Sequence, residues 1–160
     1  MENKNLSYFM REELKTEEIV TVPGLNSIKD ENGEVIPFKI KRLTREHIDD
    51  IYEHYKQEIV AIDKRTKKPY VVDNKVVMQE KRDYGRAFRH VMVEAFVYPN
   101  LKDEKLMEYY DCVDVTEMPR KVFSSSEFNE VVKKLNTVLG LTGPEDEDKE
   151  TQDDLDNAKK

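Results

Sequence analysis

The first pattern in the chain is an alternation of apolar and polar residues, which is typical of a strand with one buried face. The alternation runs through residues 35–43, and a β-branched run precedes it at residues 19–22. Between them, Asp-Glu-Asn-Gly at 30–33 favours a tight turn, because Asn and Gly accept positive φ at low cost. We therefore predict an antiparallel hairpin. Pro37 places its second strand at a sheet edge, because proline donates no ladder hydrogen bond.

Later in the chain the apolar positions recur every three or four residues, which is the period of a helix that buries one face. This pattern predicts a helix over about 44–61 and a second helix over about 79–97. It also predicts a short helix that Asp103 caps and a last helix that runs from Ser124 to Gly140. The expected fold class is α+β, with a small N-terminal antiparallel hairpin and a mainly helical body of about four helices.

Residues with capping side chains mark the ends of these helices. Thr44 is placed to accept a hydrogen bond from the first turn of its helix, and Ser124 with Glu127 has the spacing of a capping box. A further helical turn is predicted at Thr116, where Pro119 is tolerated only in the opening positions. The last helix therefore carries the most complete set of start and stop signals.

A second, smaller hairpin is predicted between the first two long helices. The apolar runs 70–72 and 76–78 flank Asp73-Asn74-Lys75, which has the composition of a turn. A basic loop at 63–69 precedes this hairpin. The loop would suit phosphate contacts with Tyr70 stacking on a base, but a solvated loop, or an internal partner for the acidic C-terminus, is the more ordinary interpretation.

The apolar pattern ends after Leu141, and acidic residues dominate the rest of the chain. Residues 143–160 carry eight acidic side chains against three lysines, which is most of the net charge of −7. A segment of this composition buries too little apolar surface to offset the cost of ordering its backbone, roughly 1–2 kcal/mol per residue. We therefore expect one domain over residues 1–142 and a disordered acidic tail over residues 143–160.

Composition excludes several classes of protein. Residues 1–142 hold 26 acidic and 24 basic side chains, and this balance disfavours a large nucleic-acid footprint. No apolar run approaches the roughly 20 residues that span a bilayer, and the N-terminus lacks the apolar core of a signal peptide. The single cysteine, Cys112, suits a reducing compartment. We therefore expect a cytoplasmic protein with neither a membrane nor a nucleic acid as partner.

No group of residues in the sequence points to catalysis. His47, Asp50 and His54 would share one face of a helix, but this face lies away from the apolar stripe and lacks a further metal ligand. The motifs of phosphate loops, nucleophile elbows and zinc proteases do not occur. We expect no catalytic residues, no metal and no cofactor, and therefore a protein that is not an enzyme.

An aromatic-rich corner surrounds Pro99. Proline cannot continue a helix and disfavours helical backbone at the residue before it, so two aromatic-rich helices are expected to meet there. The string Val97-Tyr98-Pro99-Asn100-Leu101, with the Leu-x-x-Tyr-Tyr segment at 106–110 after it, resembles the XkdN-like family of phage tail assembly chaperones, known from Bacillus-type prophages. Weaker points of similarity are Phe9 to Glu12, the turn at 30–33, and the last helix with Glu127, Phe128 and Gly140.

The resemblance implies a chaperone made in the host bacterial cytoplasm. Members of the family coat the tape measure protein and help to recruit tail tube subunits, and then leave the finished tail. In such phages a frameshift near the end of the chaperone gene can also yield an extended product. Two features depart from the family pattern, since the hairpin around Asp73 is longer and the acidic tail extends past the usual helical end.

A tape measure protein is long, helical and poorly soluble alone, so its chaperone needs a modest apolar groove on a charged body. Aromatic residues at the ends of elements suit such a groove, because they combine an apolar ring with a polar tip. The candidate partner-binding residues are Tyr8, Phe9, Met10, Tyr98, Leu101, Tyr109 and Tyr110.

Two other classes of function stay open at this stage. A structural virion component, such as a tail or head-completion subunit, would remain in the particle. A small nucleic-acid-binding regulator is disfavoured by the nearly neutral body. The sequence also leaves self-association open.

Overall fold

The computed structural model describes residues 5–141, in which a three-stranded antiparallel sheet packs with helices. The strands are β1 (Ile19–Val22), β2 (Phe38–Lys41), β3 (Lys56–Val60), β4 (Val71–Val72), β5 (Lys75–Val76), β6 (Met78–Arg82) and β7 (Phe96–Tyr98). The α-helices are α1 (Arg45–His54), α2 (Tyr84–Ala95), α3 (Glu104–Tyr109), α4 (Met118–Val122) and α5 (Ser125–Leu139). The predicted α+β class is confirmed, while the predicted tail at 143–160 lies outside the described residues.

The N-terminal hairpin forms as predicted. β1 and β2 pair antiparallel, with Ile19 opposite Lys41 and Val22 opposite Phe38. In the turn, the Gly33 amide donates to the Asp30 carbonyl at 3.0 Å, and Gly33 adopts a φ of 78°. Glycine supplies this left-handed conformation without a steric cost.

The prediction that Pro37 marks an edge strand is wrong. The strand order is β1-β2-β7, so β2 is the central strand of the sheet. Pro37 lies immediately before the first residue of β2, where its missing amide leaves the ladder intact.

The predicted helix over 79–97 is shorter at both ends. Residues 78–82 form β6, and Asp83 begins α2 by accepting a hydrogen bond from the Arg86 amide at 3.1 Å. The helix ends at Ala95 because Phe96 turns to extended backbone and pairs with Ile40 of β2. The chain therefore leaves the helix three residues before the cis Tyr98-Pro99 peptide bond.

The predicted helix over 44–61 also ends early. Thr44 caps α1 as expected and accepts from the His47 amide at 3.2 Å, but the helix stops at His54. β3 follows at residues 56–60 and pairs with β6 in register, with Ile59 opposite Gln79. The pairing with a distant strand thus outweighs the local helical period in this region.

The second hairpin forms as predicted and lies at the end of a larger structure. β4 and β5 pair across Asp73 and Asn74, which both adopt positive φ. Residues 56–82, which we name the β arm, therefore consist of the β3–β6 ribbon, the loop at 62–69 and the β4–β5 hairpin.

The predicted caps and turns of the C-terminal half are confirmed. Asp103 caps α3 by accepting from the Leu106 amide at 3.1 Å, and Pro119 lies in the first turn of α4. The Ser124 and Glu127 side chains form the capping box of α5, and Gly140 ends that helix with a φ of 69°.

Three phenylalanine rings form the centre of the core. Phe38 of β2 packs against Phe96 of β7 with 5.5 Å between ring centroids, and Phe123 lies 6.1 Å from Phe38 and 6.2 Å from Phe96. Leu101, Met118 and the inner face of α5 are fully buried in the same cluster. The core thus joins the sheet to the C-terminal helices.

A buried arginine connects α2 to the segment before α4. Arg89 is only 8% exposed, and it donates to the Thr116 carbonyl at 3.0 Å and to the Glu117 carboxylate at 3.1 Å. Arg86 pairs with Asp114 at 2.8 Å. Hydrogen bonds from Thr116, together with Arg86, hold the pKa of the Asp114 carboxyl below its ordinary value.

We predict that Leu101→Ala lowers the free energy of unfolding by about 2–5 kcal/mol, because the side chain is fully buried and its loss leaves a cavity. Urea denaturation followed by circular dichroism measures this change. Val113→Ala is the matched control, since Val113 is 94% exposed, and its effect should stay within about 0.5 kcal/mol. Equal effects of the two variants would contradict the described core.

We also predict a pH-dependent loss of stability in Glu127→Gln. The Ser27 hydroxyl and the Ser124 amide donate to the Glu127 carboxylate, and these bonds hold its pKa below 4.5. A pKa that is lowered on folding stabilises the protein above the unfolded value, and this stabilisation disappears as the pH falls through the folded value.

At neutral pH the variant should lose on the order of 1 kcal/mol of unfolding free energy. Its difference from the wild type should shrink below pH 4.5. Denaturation at both pH values tests this, with Glu130→Gln on the exposed side of the same helix as control. A difference that grows towards low pH would refute the assignment.

Candidate partner-binding surface

The N-terminal segment, residues 6–14, exposes apolar side chains along its length. It folds into two short 3₁₀ turns, the first of which Asn5 caps by accepting from the Ser7 amide at 3.0 Å. The predicted site residues Tyr8, Phe9 and Met10 are 78%, 78% and 74% exposed. These side chains are therefore available to a partner.

The aromatic corner, residues 98–110, divides into exposed and buried residues. Tyr98 and Tyr109 are exposed, and the Tyr110 ring packs edge-on against Tyr109 at 4.9 Å while it also contacts the core. Leu101 is 0% exposed and belongs to the core, so the expectation that it lies on the partner-binding surface is corrected. A partner would have to unfold the corner to reach Leu101.

The N-terminal segment and the aromatic corner are attached to different edge strands of the sheet. The N-terminal segment leads into β1, whereas Tyr98 lies on β7, and β1 and β7 are the two edge strands. The sequence predicted one groove from these two groups of residues. The strand order attaches them to opposite edges, and nothing in the local sequence signals this arrangement.

The β arm is a third apolar surface, which the candidate partner-binding residues from the sequence do not include. Within residues 56–82, only Ala61 is buried. Its large exposed apolar side chains are Ile59, Val60, Ile62, Tyr70, Val71, Val72, Val76, Val77 and Met78. Apolar residues in predicted strands usually indicate burial, so a sequence pattern alone gave no reason to expect them on the surface.

The arm is exposed because its strands pair mainly with each other. Val60 lies opposite Met78 on one face of the ribbon, and Ala61 donates its amide to the Val77 carbonyl at 2.9 Å. The Tyr70 amide donates to the Ala61 carbonyl at 2.9 Å. This bond closes the loop at 62–69, and the β4–β5 hairpin begins just after it. A two-stranded ribbon alone is only marginally stable in water. A partner that covered the arm would therefore stabilise it more than it would stabilise a sheet that is already covered.

The root of the arm is held between α1 and α2. The Tyr55 hydroxyl is hydrogen-bonded to His90 Nδ1 at 2.6 Å, and the Arg86 guanidinium lies 5.6 Å from the centre of the Tyr55 ring. Burial raises the pKa of Tyr55, so it remains a neutral phenol. Across the root, Arg82 donates to Glu53 at 2.6 Å. The arm thus projects from a fixed base.

On the helix face that carries His47, Asp50 and His54, His47 contacts the segment before β1. His47 Nδ1 is hydrogen-bonded to Glu17 at 2.8 Å, while Asp50 and His54 are exposed. Burial alone would raise the pKa of Glu17, but hydrogen bonds from His47 and from the Thr44 amide hold it below its ordinary value. Within residues 5–141, no three side chains of the metal-binding types lie close enough to share an ion.

None of the helices within residues 5–141 combines the length and the apolar content of a bilayer-spanning helix.

Comparison with known proteins matches residues 6–159 to the phage XkdN-like tail assembly chaperone family. The uncharacterized protein YqbN of Bacillus subtilis (strain 168) is 30% identical over 98% of this chain and 93% of its own length. The phage-like element PBSX protein XkdN of the same strain is 27% identical over 96% of this chain and 94% of its own length.

A crystal structure of the protein YqbN has a similar fold. It superposes with a TM-score of 0.60 at 25% identity and covers 88% of this chain and all of that one. The family match runs through residue 159, so nearly all of the acidic C-terminal segment lies within the matched length. Because the match includes nearly the whole chain, the protein belongs to the XkdN-like family of phage tail assembly chaperones.

Proposed function

We propose that this tail assembly chaperone binds the tape measure protein in the bacterial cytoplasm and keeps it soluble while the tail tube assembles around it. The observation that carries the proposal is the exposed apolar surface of the N-terminal segment, where Tyr8, Phe9 and Met10 are each about three-quarters exposed. Large apolar side chains clustered on a surface are typical of protein interaction sites.

The rest of the protein is suited to keeping an apolar partner in solution. Charged residues make up 38% of the sequence, and this content keeps a protein soluble while it binds an apolar partner. Binding through apolar side chains needs no directed chemistry, since each square ångström of buried apolar area contributes about 25 cal/mol. The proposal therefore assigns no catalytic residue.

The exposed tyrosines of the aromatic corner extend the proposed surface. Tyr98 and Tyr109 present apolar rings with hydroxyl groups that remain hydrogen-bonded to water or to a partner. Tyr110 supports Tyr109 from the core side. Because β7 is an edge strand, it also offers unpaired backbone groups beside Tyr98 to an extended segment of the tape measure or tail tube protein.

Co-expression with the tape measure protein encoded beside this chain tests the proposal. A triple variant, Tyr8→Ser with Phe9→Ser and Met10→Ser, should bind roughly tenfold or more weakly, because interfaces lose about 1.4 kcal/mol or more when apolar anchors are removed. The soluble fraction of the tape measure protein should fall in parallel. Pull-down and sedimentation measure both effects.

Val113→Ser is the control, since Val113 is an exposed apolar residue outside the proposed surface. Both variants should melt at the wild-type temperature, because they change exposed positions. A tape measure protein that is equally soluble without this chain would refute the proposal. Mass spectrometry of purified particles gives a second test, since a chaperone is absent from finished tails and a virion component is present.

A further inference from the structure

The tip of the β arm, residues 62–77, concentrates basic side chains. Lys64, Arg65, Lys67, Lys68 and Lys75 are all exposed. None of these five forms an ion pair with another residue in the range 5–141. The cations at the root of the arm differ, because Lys56 pairs with Glu80 and Arg82 pairs with Glu53. The cations of the tip are thus available to an external anion.

The sign of the charge separates the arm from the rest of the chain. The β arm carries eight basic and four acidic side chains, a net charge of +4. The acidic segment, residues 143–160, carries three basic and eight acidic side chains, a net charge of −5. The remaining residues hold 16 basic and 22 acidic side chains, a net charge of −6. Of these three parts, the arm is therefore the one that attracts the acidic segment, and the body repels it.

The acidic segment is also long enough to cross the surface of the body. Leu141, the last described residue, packs on the core after Gly140 ends α5. Residues 142–160 extend to at most about 60 Å at 3.3 Å per residue. The radius of gyration expected for a domain of this size is only about 14 Å, so the segment can reach either side of the body.

Attachment to the same chain strengthens such a contact. A tethered segment meets its target at an effective concentration in the millimolar range, and this favours binding within one chain over binding between chains in dilute solution. The exposed valines Val71 and Val72 lie next to the basic residues of the tip, so an acidic segment on the tip would also shield apolar side chains from water.

We propose that the acidic segment docks on the basic tip of the β arm of its own chain. The contact is electrostatic and reversible, and it covers the arm in the free protein. Exposed charges lose most of their attraction beyond about 8 Å at physiological salt and beyond about 3 Å at molar salt, so the docking weakens as salt is added.

A spin label on the full chain tests the proposal. Ala158→Cys carries a nitroxide, and Cys112→Ser removes the native thiol while it keeps a donor for the Asp114 carbonyl, which lies 3.1 Å from Sγ. The backbone amide signals of 64–68 and 75 in an isotope-labelled sample should lose most of their intensity. High salt should restore them.

Neutralising the tip gives the decisive comparison. In the variant Lys64→Gln, Arg65→Gln, Lys67→Gln and Lys68→Gln, the arm signals should keep their intensity. The matched control replaces four exposed lysines of the body with glutamine and makes the same change in charge, so the arm signals should remain broadened. The control substitutions are Lys15→Gln, Lys29→Gln, Lys105→Gln and Lys121→Gln.

Three results would overturn the proposal. One is broadening that is uniform or is confined to the body. Another is broadening in a mixed sample, in which one chain carries the isotopes without a nitroxide and a second chain carries the nitroxide without the isotopes. Such broadening would make the contact intermolecular. The last is an arm whose signals respond to duplex DNA but not to the spin-labelled segment. The measurement contains no tape measure protein, so its failure leaves the proposed chaperone function untouched.

Discussion

The packing of the Phe38, Phe96 and Phe123 rings is the interaction on which the rest of the structure depends. Phe38 and Phe96 belong to neighbouring strands, and Phe123 lies between α4 and α5, so one cluster joins the sheet to the C-terminal helices. Phe96 follows directly after α2, and its burial fixes the point at which the helix ends. The position of α2 in turn places Arg86 and Arg89, which hold the segment before α4.

The parts of the fold that the sequence predicted correctly are those with local causes. A turn that contains Gly33, and a capping box at Ser124, need only a few neighbouring residues, so their signals are complete in the sequence. The errors occur where strands pair over long distances. Ile59 fits the helical period of α1 equally well, and only its pairing opposite Gln79 decides for a strand.

The candidate surface also has residues that the sequence identified and residues that it did not. The sequence identified Tyr8, Phe9 and Met10 because they form a short apolar island among polar residues, and the structure exposes them. Aromatic and leucine residues at the ends of elements are ambiguous, since Leu101 is buried and Tyr109 is exposed within the same corner. The β arm was missed because the sequence cannot show that a strand lacks a covering layer.

The root of the arm brings the two ends of a 27-residue excursion together. The Asp83 amide donates to the Tyr55 carbonyl at 3.2 Å, so the chain returns to the body where it left it. The entropy of closing such a loop changes only slowly with its length. Insertions or deletions within the arm should therefore change the free energy of closing the excursion only slightly, and leave the packing of α1 against α2 in place.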